Sequence, residues 1–146
     1  LGNPDMLRPL TKTGISRMAD AISGLDNFVS NIDHIYTSEY TRCIETAEML
    51  HGHYVDSELS KISDLNPNSD LKGIKKYLKT HDDDSTIAFV VHGGDVSSMI
   101  SYLSDDDIEM KIRHKKGGVA LLSINEDMVQ LQWLLSQKQL CLLSSI

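Results

Sequence analysis

Apolar residues recur every three or four positions between Thr13 and Leu25, which is typical of one face of an amphipathic helix. The apolar positions are Ile15, Met18, Ala19 and Ile22. Thr11 stands just before them and can accept a hydrogen bond from a backbone N–H of the first turn. The pattern therefore predicts a first helix that Thr11 caps.

A short strand and further helices are predicted next. Residues 33–37 read as a strand, and the apolar positions Cys43, Ala47 and Leu50 then mark the buried side of a second helix. Residues 57–70, which are rich in Asn, Ser and Asp and include a proline, predict a loop. A third helix follows, with apolar positions at Leu71, Ile74, Tyr77 and Leu78.

Residues 86–91 are apolar almost throughout and rich in β-branched side chains. Such a run predicts the central strand of a parallel sheet, covered on both faces. Asp95 can cap a fourth helix after it, with an inner face of Val96, Met99, Ile100 and Leu103. Residues 119–124 and 129–133, on either side of Asn125-Glu126-Asp127, predict a hairpin at the margin of the sheet.

Strands that alternate with helices predict an α/β fold, here a three-layer sandwich with a mostly parallel central sheet. The chain of 146 residues fits a single domain. A domain of this size buries about 68–70% of the surface that its unfolded chain exposes. A single domain with its own hydrophobic core can therefore account for the whole sequence.

Composition narrows the range of partners. Acidic residues outnumber basic ones by 21 to 14, which gives a formal net charge of −7. This charge repels nucleic acid and anionic membrane surfaces, so any anion site must be local. No apolar run reaches the length of a membrane span, and Cys43 and Cys141 lack metal-ligand or redox spacing. We expect a cytoplasmic monomer with reduced thiols, without a metal or cofactor.

Two predicted strand ends carry side chains suited to binding an anion. Arg42 lies in the first turns of the second helix, and His92 follows the strand of residues 86–91. Ligands of open α/β sheets lie beyond the carboxyl ends of parallel strands, so both side chains should face one crevice if these strands are neighbours. A guanidinium can hold two phosphoryl oxygens, and an imidazole can hold a third. The plainer alternatives are that Arg42 is a solvated surface residue and that His92 caps a turn.

Other phosphate and hydrolase chemistries lack their usual sequence patterns. The chain holds no Cys-x-x-x-x-x-Arg loop, no Gly-x-x-x-x-Gly-Lys loop, no Gly-x-Ser-x-Gly elbow and no His-Glu-x-x-His pair. His51-Gly52-His53 with Asp56 is best interpreted as a polar turn that ends the second helix rather than as a metal site.

Four segments occur in a characteristic order. They are Arg8-Pro9-Leu10-Thr11 with Gly14, Ser38-x-x-x-Arg42 with Glu45-Thr46-Ala47, the buried strand that ends in His92, and residues 131–140. This set resembles the histidine phosphatase (phosphoglycerate mutase-like) superfamily, and within it the phosphohistidine phosphatases of the SixA type. The resemblance runs over essentially the whole chain and implies the histidine phosphatase fold.

The resemblance implies roles for three residues. Arg42 would bind phosphoryl oxygens, and His92 would hold the same group opposite the nucleophile. Arg8 would be a further oxyanion contact or a residue at the lip of the pocket. Gly93 and Gly94 replace the Asn-Pro type sequence that is common after this histidine in relatives, so a side-chain role at these two positions is in doubt.

The nucleophile of the resembled family is missing from this sequence. Relatives carry it as the histidine of an Arg-His-Gly segment at the end of their first strand, and none of the six histidines here stands in that segment. We expect residues 1–146 to form one histidine-phosphatase-like domain that lacks its first strand, with this strand N-terminal to Leu1 in the natural chain. The alternative is a relic without catalysis.

The resemblance implies a phosphatase that hydrolyses protein phosphohistidine through a phosphohistidine intermediate of its own. The expected partner is a phosphorylated protein, for example a histidine phosphotransfer domain. The alternatives are a phosphatase for small phosphate esters and a non-catalytic module that binds phosphoproteins. Asp64 is a candidate general acid, or else a turn aspartate. A basic cluster of Lys111, Arg113, Lys115 and Lys116 is either a solvated loop or a docking site for an acidic phosphoprotein.

Overall fold

A computed structural model shows three short parallel strands at the centre of the fold, and it describes residues 4–93, 95–104, 114–126 and 128–144. The strands are β1 (His34–Thr37), β2 (Glu58–Lys61) and β3 (Ile87–Val90), in the order β2-β1-β3. In β1, His34 lies opposite Glu58 of β2 on one side and opposite Ile87 of β3 on the other. The carboxyl ends of all three strands therefore lie at one edge of the sheet.

The described residues also form five α-helices, two short 3₁₀ turns and a hairpin. The helices are α1 (Lys12–Leu25), α2 (Thr41–His53), α3 (Ile74–Lys79), α4 (Asp95–Leu103) and α5 (Gln137–Leu143). The 3₁₀ turns span Ser63–Leu65 and Leu71–Gly73, and the hairpin consists of β4 (Val119–Asn125) and β5 (Met128–Leu135). None of the described helices combines the length and the apolar character that crossing a membrane requires.

Helices cover both faces of the parallel sheet, because successive strand residues point to opposite sides. Ile35 is fully buried in one apolar cluster with residues of α1, α2 and α5. Tyr36 is buried in a second cluster with Leu65, Ile74 and Met99. The predicted three-layer α/β sandwich is thus confirmed.

The helix predictions agree with the structure in most respects. Thr11 caps α1 as predicted, because its Oγ1 accepts from the Gly14 N–H at 2.9 Å. The predicted inner positions of α2, namely Cys43, Ala47 and Leu50, are all buried. The predicted polar turn at residues 51–53 is wrong, since these residues complete the last turn of α2. There His51 Nδ1 lies 2.9 Å from Ser57 Oγ, and His53 Nε2 lies 3.2 Å from Asp26 Oδ1.

Helix α5 was not predicted from the sequence. Ser136 starts it through a capping box, in which the Ser136 hydroxyl accepts from the Gln139 N–H and the Gln139 side chain accepts from the Ser136 N–H. The helix packs closely on α1. A Cβ at Gly24 would overlap the backbone carbonyl oxygen of Leu140, so only glycine permits this approach.

Two strand predictions need correction. The loop predicted over residues 57–70 is wrong in part, because residues 58–61 form β2. This strand holds a single apolar residue, Leu59, so it shows no alternation, and its pairing with β1 stabilises it instead.

The prediction that residues 86–91 form the central strand, covered on both faces, is also wrong for the described part of the chain. In that part, β1 is the central strand and β3 is an edge strand. All four residues of β3 are only half-buried. The predicted hairpin is confirmed, but β4 and β5 form a separate two-stranded sheet. Both β3 and the hairpin contribute side chains to the α1–α2–α5 cluster, from Ala88, Val90, Val119, Trp133 and Leu135.

Candidate anion site

The site lies where β1 and β3 end beside each other. The chain leaves β1 at the fully buried Ser38, whose N–H donates to the Val90 carbonyl at 3.2 Å. Tyr40 then stands at the N-cap of α2 in extended conformation, without a side-chain capping bond. Arg42 is consequently the second residue of α2, and His92 lies just beyond the neighbouring strand.

Arg42 and His92 meet at these strand ends, with 3.2 Å between Arg42 Nη2 and His92 Nδ1. A guanidinium only donates hydrogen bonds, so the imidazole nitrogen must be the acceptor. The Arg42 side chain is 19% exposed, which leaves it partly shielded from water. The structure therefore brings together the two residues that the sequence placed at one crevice, while their catalytic role stays a prediction.

Tyr40, which the sequence does not single out, forms a wall of the site. Its ring makes an edge contact with the His92 ring at a centroid distance of 5.0 Å. The Arg42 guanidinium carbon lies 5.2 Å from the centroid of the same ring. Such cation–π contact restrains the guanidinium near the imidazole.

Asp5 accepts hydrogen bonds from both terminal nitrogens of the Arg42 guanidinium. Arg42 Nη1 donates to the Asp5 carbonyl at 3.0 Å, and Arg42 Nη2 lies 3.4 Å from Asp5 Oδ2. Arg8 Nε donates to the other carboxylate oxygen, Asp5 Oδ1, at 3.2 Å. Arg8 is thus linked to Arg42 through Asp5, and its side chain is 61% exposed. This places Arg8 at the rim, and its predicted substrate contact stays a prediction.

Behind His92 lies a set of buried polar groups. His92 Nε2 is 3.1 Å from Ser38 Oγ and 3.7 Å from Cys43 Sγ. Ser38 Oγ in turn donates to Asn66 Oδ1 at 3.1 Å. The sequence predicts no place in this site for Cys43, which it marks only as a buried position of α2, or for Asn66, because neither stands at a strand end or in a recognisable motif.

Burial determines the protonation states of His92 and Cys43. Burial, and then the positive charge of Arg42, hold the pKa of His92 below its usual value, so the imidazole is neutral near pH 7. Burial likewise raises the pKa of the Cys43 thiol, which keeps it protonated. The guanidinium is therefore the main fixed positive charge beside His92.

Asp64, the candidate general acid, contacts two side chains of helix α3. Tyr77 Oη donates to Asp64 Oδ1 at 3.1 Å, and Lys76 Nζ lies 3.6 Å from Asp64 Oδ2. Burial and this hydrogen bond raise the pKa of the Tyr77 hydroxyl. Asp64 lies in the 3₁₀ turn Ser63–Leu65, and both its role as a general acid and the alternative of a turn aspartate stay predictions.

The other candidate groups lie away from the Arg42–His92 pair or outside the described residues. Lys111, Arg113 and Gly94 are outside the described residues, whereas Lys115 and Lys116 are exposed. Lys115 and His114 line a hollow of about 280 Å³ beside the end of β5. Within the described ranges, no group of three or more His, Cys, Asp or Glu residues could hold a metal ion.

Solved structures with this fold are known. The chain is similar to the protein histidine phosphatase SixA complexed with tungstate, with a TM-score of 0.78, 19% identity and coverage of 96% of this chain and 91% of that one. It is similar to a phosphoserine phosphatase in complex with 3-phosphoglyceric acid from Entamoeba histolytica (TM-score 0.67, 20% identity, 95% and 89% coverage). A phosphoglycerate mutase from Plasmodium falciparum gives a TM-score of 0.65 at 20% identity, with 87% and 86% coverage.

At these identities the likeness establishes the fold alone. The predicted histidine phosphatase (phosphoglycerate mutase-like) fold is thereby confirmed. No protein-family model matches the sequence, and none of the curated proteins matches it.

Proposed function

We propose that this chain is the main part of a phosphatase in which Arg42 and His92 hold the transferred phosphoryl group. The observation that carries the proposal is the 3.2 Å contact between Arg42 Nη2 and His92 Nδ1 at the carboxyl ends of adjacent parallel strands. Solved phosphatases share the fold, including one that is complexed with tungstate, a tetrahedral oxyanion. Phosphoryl transfer depends mainly on positioning and on charge stabilisation, which this pair can supply.

The proposed reaction has two displacements. A nucleophilic histidine nitrogen attacks phosphorus, the bond between phosphorus and the leaving group breaks, and the leaving group takes up a proton. Water then attacks the phosphohistidine, giving inorganic phosphate and the free imidazole. Arg42 and His92 stabilise the charge on the phosphoryl oxygens in both steps, and the residues described here need no metal for that role.

We propose that the nucleophile is carried by a strand N-terminal to Leu1 that pairs with β3. The support lies in β3 itself, which is apolar along its length yet only half-buried. Within the described residues β3 pairs with β1 alone, while the hairpin β4–β5 packs on the same apolar cluster. A strand between β3 and the hairpin would cover the unpaired edge and join the two sheets. Its carboxyl end would then lie beside His92.

We propose phosphohistidine in a protein as the substrate. Its imidazole leaving group needs less help from a general acid than an alkoxide does, which fits a site whose candidate acid, Asp64, is bonded to Tyr77 and Lys76. Lys115 and Lys116 are exposed just before β4 and could attract an acidic phosphoprotein. Changing both lysines to glutamate should then raise KM for the protein substrate and spare a small aryl phosphate. Equal effects on both substrates would refute docking at these lysines.

The experiment that tests the function compares substrates on the native-length protein. We expect faster hydrolysis of a phosphohistidine protein than of an aryl phosphate or a small phosphate ester. Faster hydrolysis of the small ester would favour the alternative substrate class. Hydrolysis of neither, by a protein that binds phosphate, would refute the phosphatase proposal.

A second candidate function is a non-catalytic module that binds phosphorylated partners. It is favoured by one observation, that none of the six histidines stands in an Arg-His-Gly segment. The intact mass of the protein isolated from its natural source distinguishes the two candidates. A mass large enough to include a preceding strand with Arg-His-Gly supports the enzyme. A mass equal to that of a chain that starts at Leu1 supports the binding module.

A further inference from the structure

The hydrogen bonds of Asn66 fix the orientation of its side chain. The Glu39 backbone N–H donates to Asn66 Oδ1 at 2.8 Å, and a backbone N–H can only be a donor. Asn66 Nδ2 donates to Glu39 Oε1 at 2.9 Å, which agrees with the same orientation. The carboxamide oxygen of Asn66 therefore faces the interior of the site, where Ser38 lies.

This oxygen determines where the Ser38 proton points. Ser38 Oγ lies 3.1 Å from Asn66 Oδ1, and an amide oxygen carries no proton, so the hydroxyl must donate. The Tyr40 N–H donates to Ser38 Oγ at 3.2 Å and uses one of its lone pairs. Ser38 Oγ, which is fully buried, also lies 3.1 Å from His92 Nε2, and it can only accept there because its proton is donated to Asn66. Cys43 Sγ lies further from the same nitrogen, at 3.7 Å. Nε2 must then carry a proton.

The contact on the opposite side of the ring favours the same tautomer. Arg42 can only donate, so His92 Nδ1 at 3.2 Å must be the unprotonated nitrogen. The donors thus run in one direction, from Arg42 to His92, from His92 to Ser38 and from Ser38 to Asn66. Burial and Arg42 also hold the pKa of His92 below its usual value, which keeps the ring neutral, so that one tautomer has to be chosen.

We propose that Asn66 is a positioning residue, which acts through Ser38 to hold His92 as the Nε2–H tautomer with its Nδ1 lone pair facing the anion site. This proposal rests on one part of the proposed function, namely that the Arg42–His92 site binds a phosphoryl group. In this arrangement Nδ1 accepts from Arg42 while the site is free. It can take up a proton and donate to a phosphoryl oxygen when the anion arrives, and Ser38 keeps the ring in place throughout.

Long-range ¹H–¹⁵N NMR of the histidine rings tests this inference without any substrate. In the unchanged protein at neutral pH, we expect His92 to show a protonated Nε2 and an unprotonated Nδ1. Asn66→Ala frees the Ser38 hydroxyl to donate to Nε2 in competition with the donation from Arg42 to Nδ1, so the spectrum should change to a mixture of the Nε2–H and Nδ1–H forms. Asn66→Asp keeps an acceptor oxygen for Ser38 and should preserve the Nε2–H form.

Ser69→Ala is the matched control, because it removes a hydroxyl that bonds the Ser63 carbonyl in the same loop and leaves Asn66 intact. It should leave the ring signals of His92 unchanged. If Asn66→Ala fails to fold, Ser38→Ala cuts the same connection and should give a mixture of tautomers.

Two results would overturn the inference. One is an Nδ1–H or doubly protonated His92 in the unchanged protein at neutral pH. The other is an unaltered tautomer in both Asn66→Ala and Ser38→Ala. Failure of the proposed function would look different, because the tautomer would follow Asn66 as expected while phosphate failed to bind.

Discussion

Replacing Arg42 by alanine should remove most of the activity of the proposed phosphatase. At about 4 Å and an effective dielectric of about 20, one contact between unit charges is worth about 4 kcal/mol before desolvation. Because the Arg42 side chain is 19% exposed, water screens only part of this interaction. We therefore expect a loss of about 3–4 kcal/mol of transition-state stabilisation, or roughly 10²–10³ in kcat.

The assay is phosphate release from a phosphohistidine protein by the native-length enzyme, with kcat and KM measured separately. Arg17→Ala is the matched control, since Arg17 is an exposed arginine of α1 and its loss should change kcat by less than about twofold. Both variants should unfold at the same temperature as the unchanged protein within a few degrees. A loss in kcat below tenfold for Arg42→Ala, in a folded protein, would mean that this arginine does not hold the phosphoryl group.

Three further predictions follow from the described contacts. Gly24→Ala places a Cβ against a backbone oxygen of α5 and should destabilise the protein by about 1–3 kcal/mol in urea unfolding, whereas Gly52→Ala, which meets no atom within 4 Å, should stabilise it by up to about 1 kcal/mol. Asp5→Asn removes the carboxylate that competes for Arg42 and should tighten phosphate binding roughly threefold in calorimetric titration. The pKa of His92 is lower in the folded protein than in the unfolded chain, so as the pH falls below about 6.5 the unfolded chain takes up a proton at this imidazole before the folded protein does. This difference lowers the stability of the unchanged protein at acid pH, so His92→Gln should lose less stability over the same pH range.

Each of these predictions has a clear contrary result. Equal stability of the two alanine variants would mean that α1 and α5 are not packed as closely as Gly24 implies. Weaker phosphate binding in Asp5→Asn would show that Asp5 helps to hold the anion rather than competing with it. An identical pH dependence of unfolding with and without His92 would show that its imidazole titrates alike in the folded and unfolded chain.

The sequence predicted those parts of the fold that local patterns determine. Helix α1 was predicted because its apolar stripe has the helical period and Thr11 supplies a cap. The meeting of Arg42 and His92 was predicted because both follow strands, and parallel strands end at one edge of a sheet.

The rest depends on tertiary pairing that no local pattern records. Strand β2 has only one apolar residue and is recognised by its ladder with β1. The link from Asn66 to Ser38 joins positions 28 residues apart, and an asparagine in a loop gives no sign of it. The carboxylate of Asp5 beside Arg42 is similarly hidden, because that contact spans 37 residues. A signal for α5 was present in the Ser136–Gln139 capping box, but the residues before it read as a strand.

A crystal of this protein soaked in tungstate tests the central claim most directly. We expect one strong anomalous peak for tungsten in front of Arg42 and His92, with tungstate oxygens within hydrogen-bond distance of both Arg42 Nη2 and His92 Nδ1 and with Asp5 displaced from the guanidinium. That peak should vanish in crystals of Arg42→Ala. Tungstate bound elsewhere, with the Arg42–His92 contact unchanged at saturating concentration, would contradict the claim that these two side chains form a phosphoryl site.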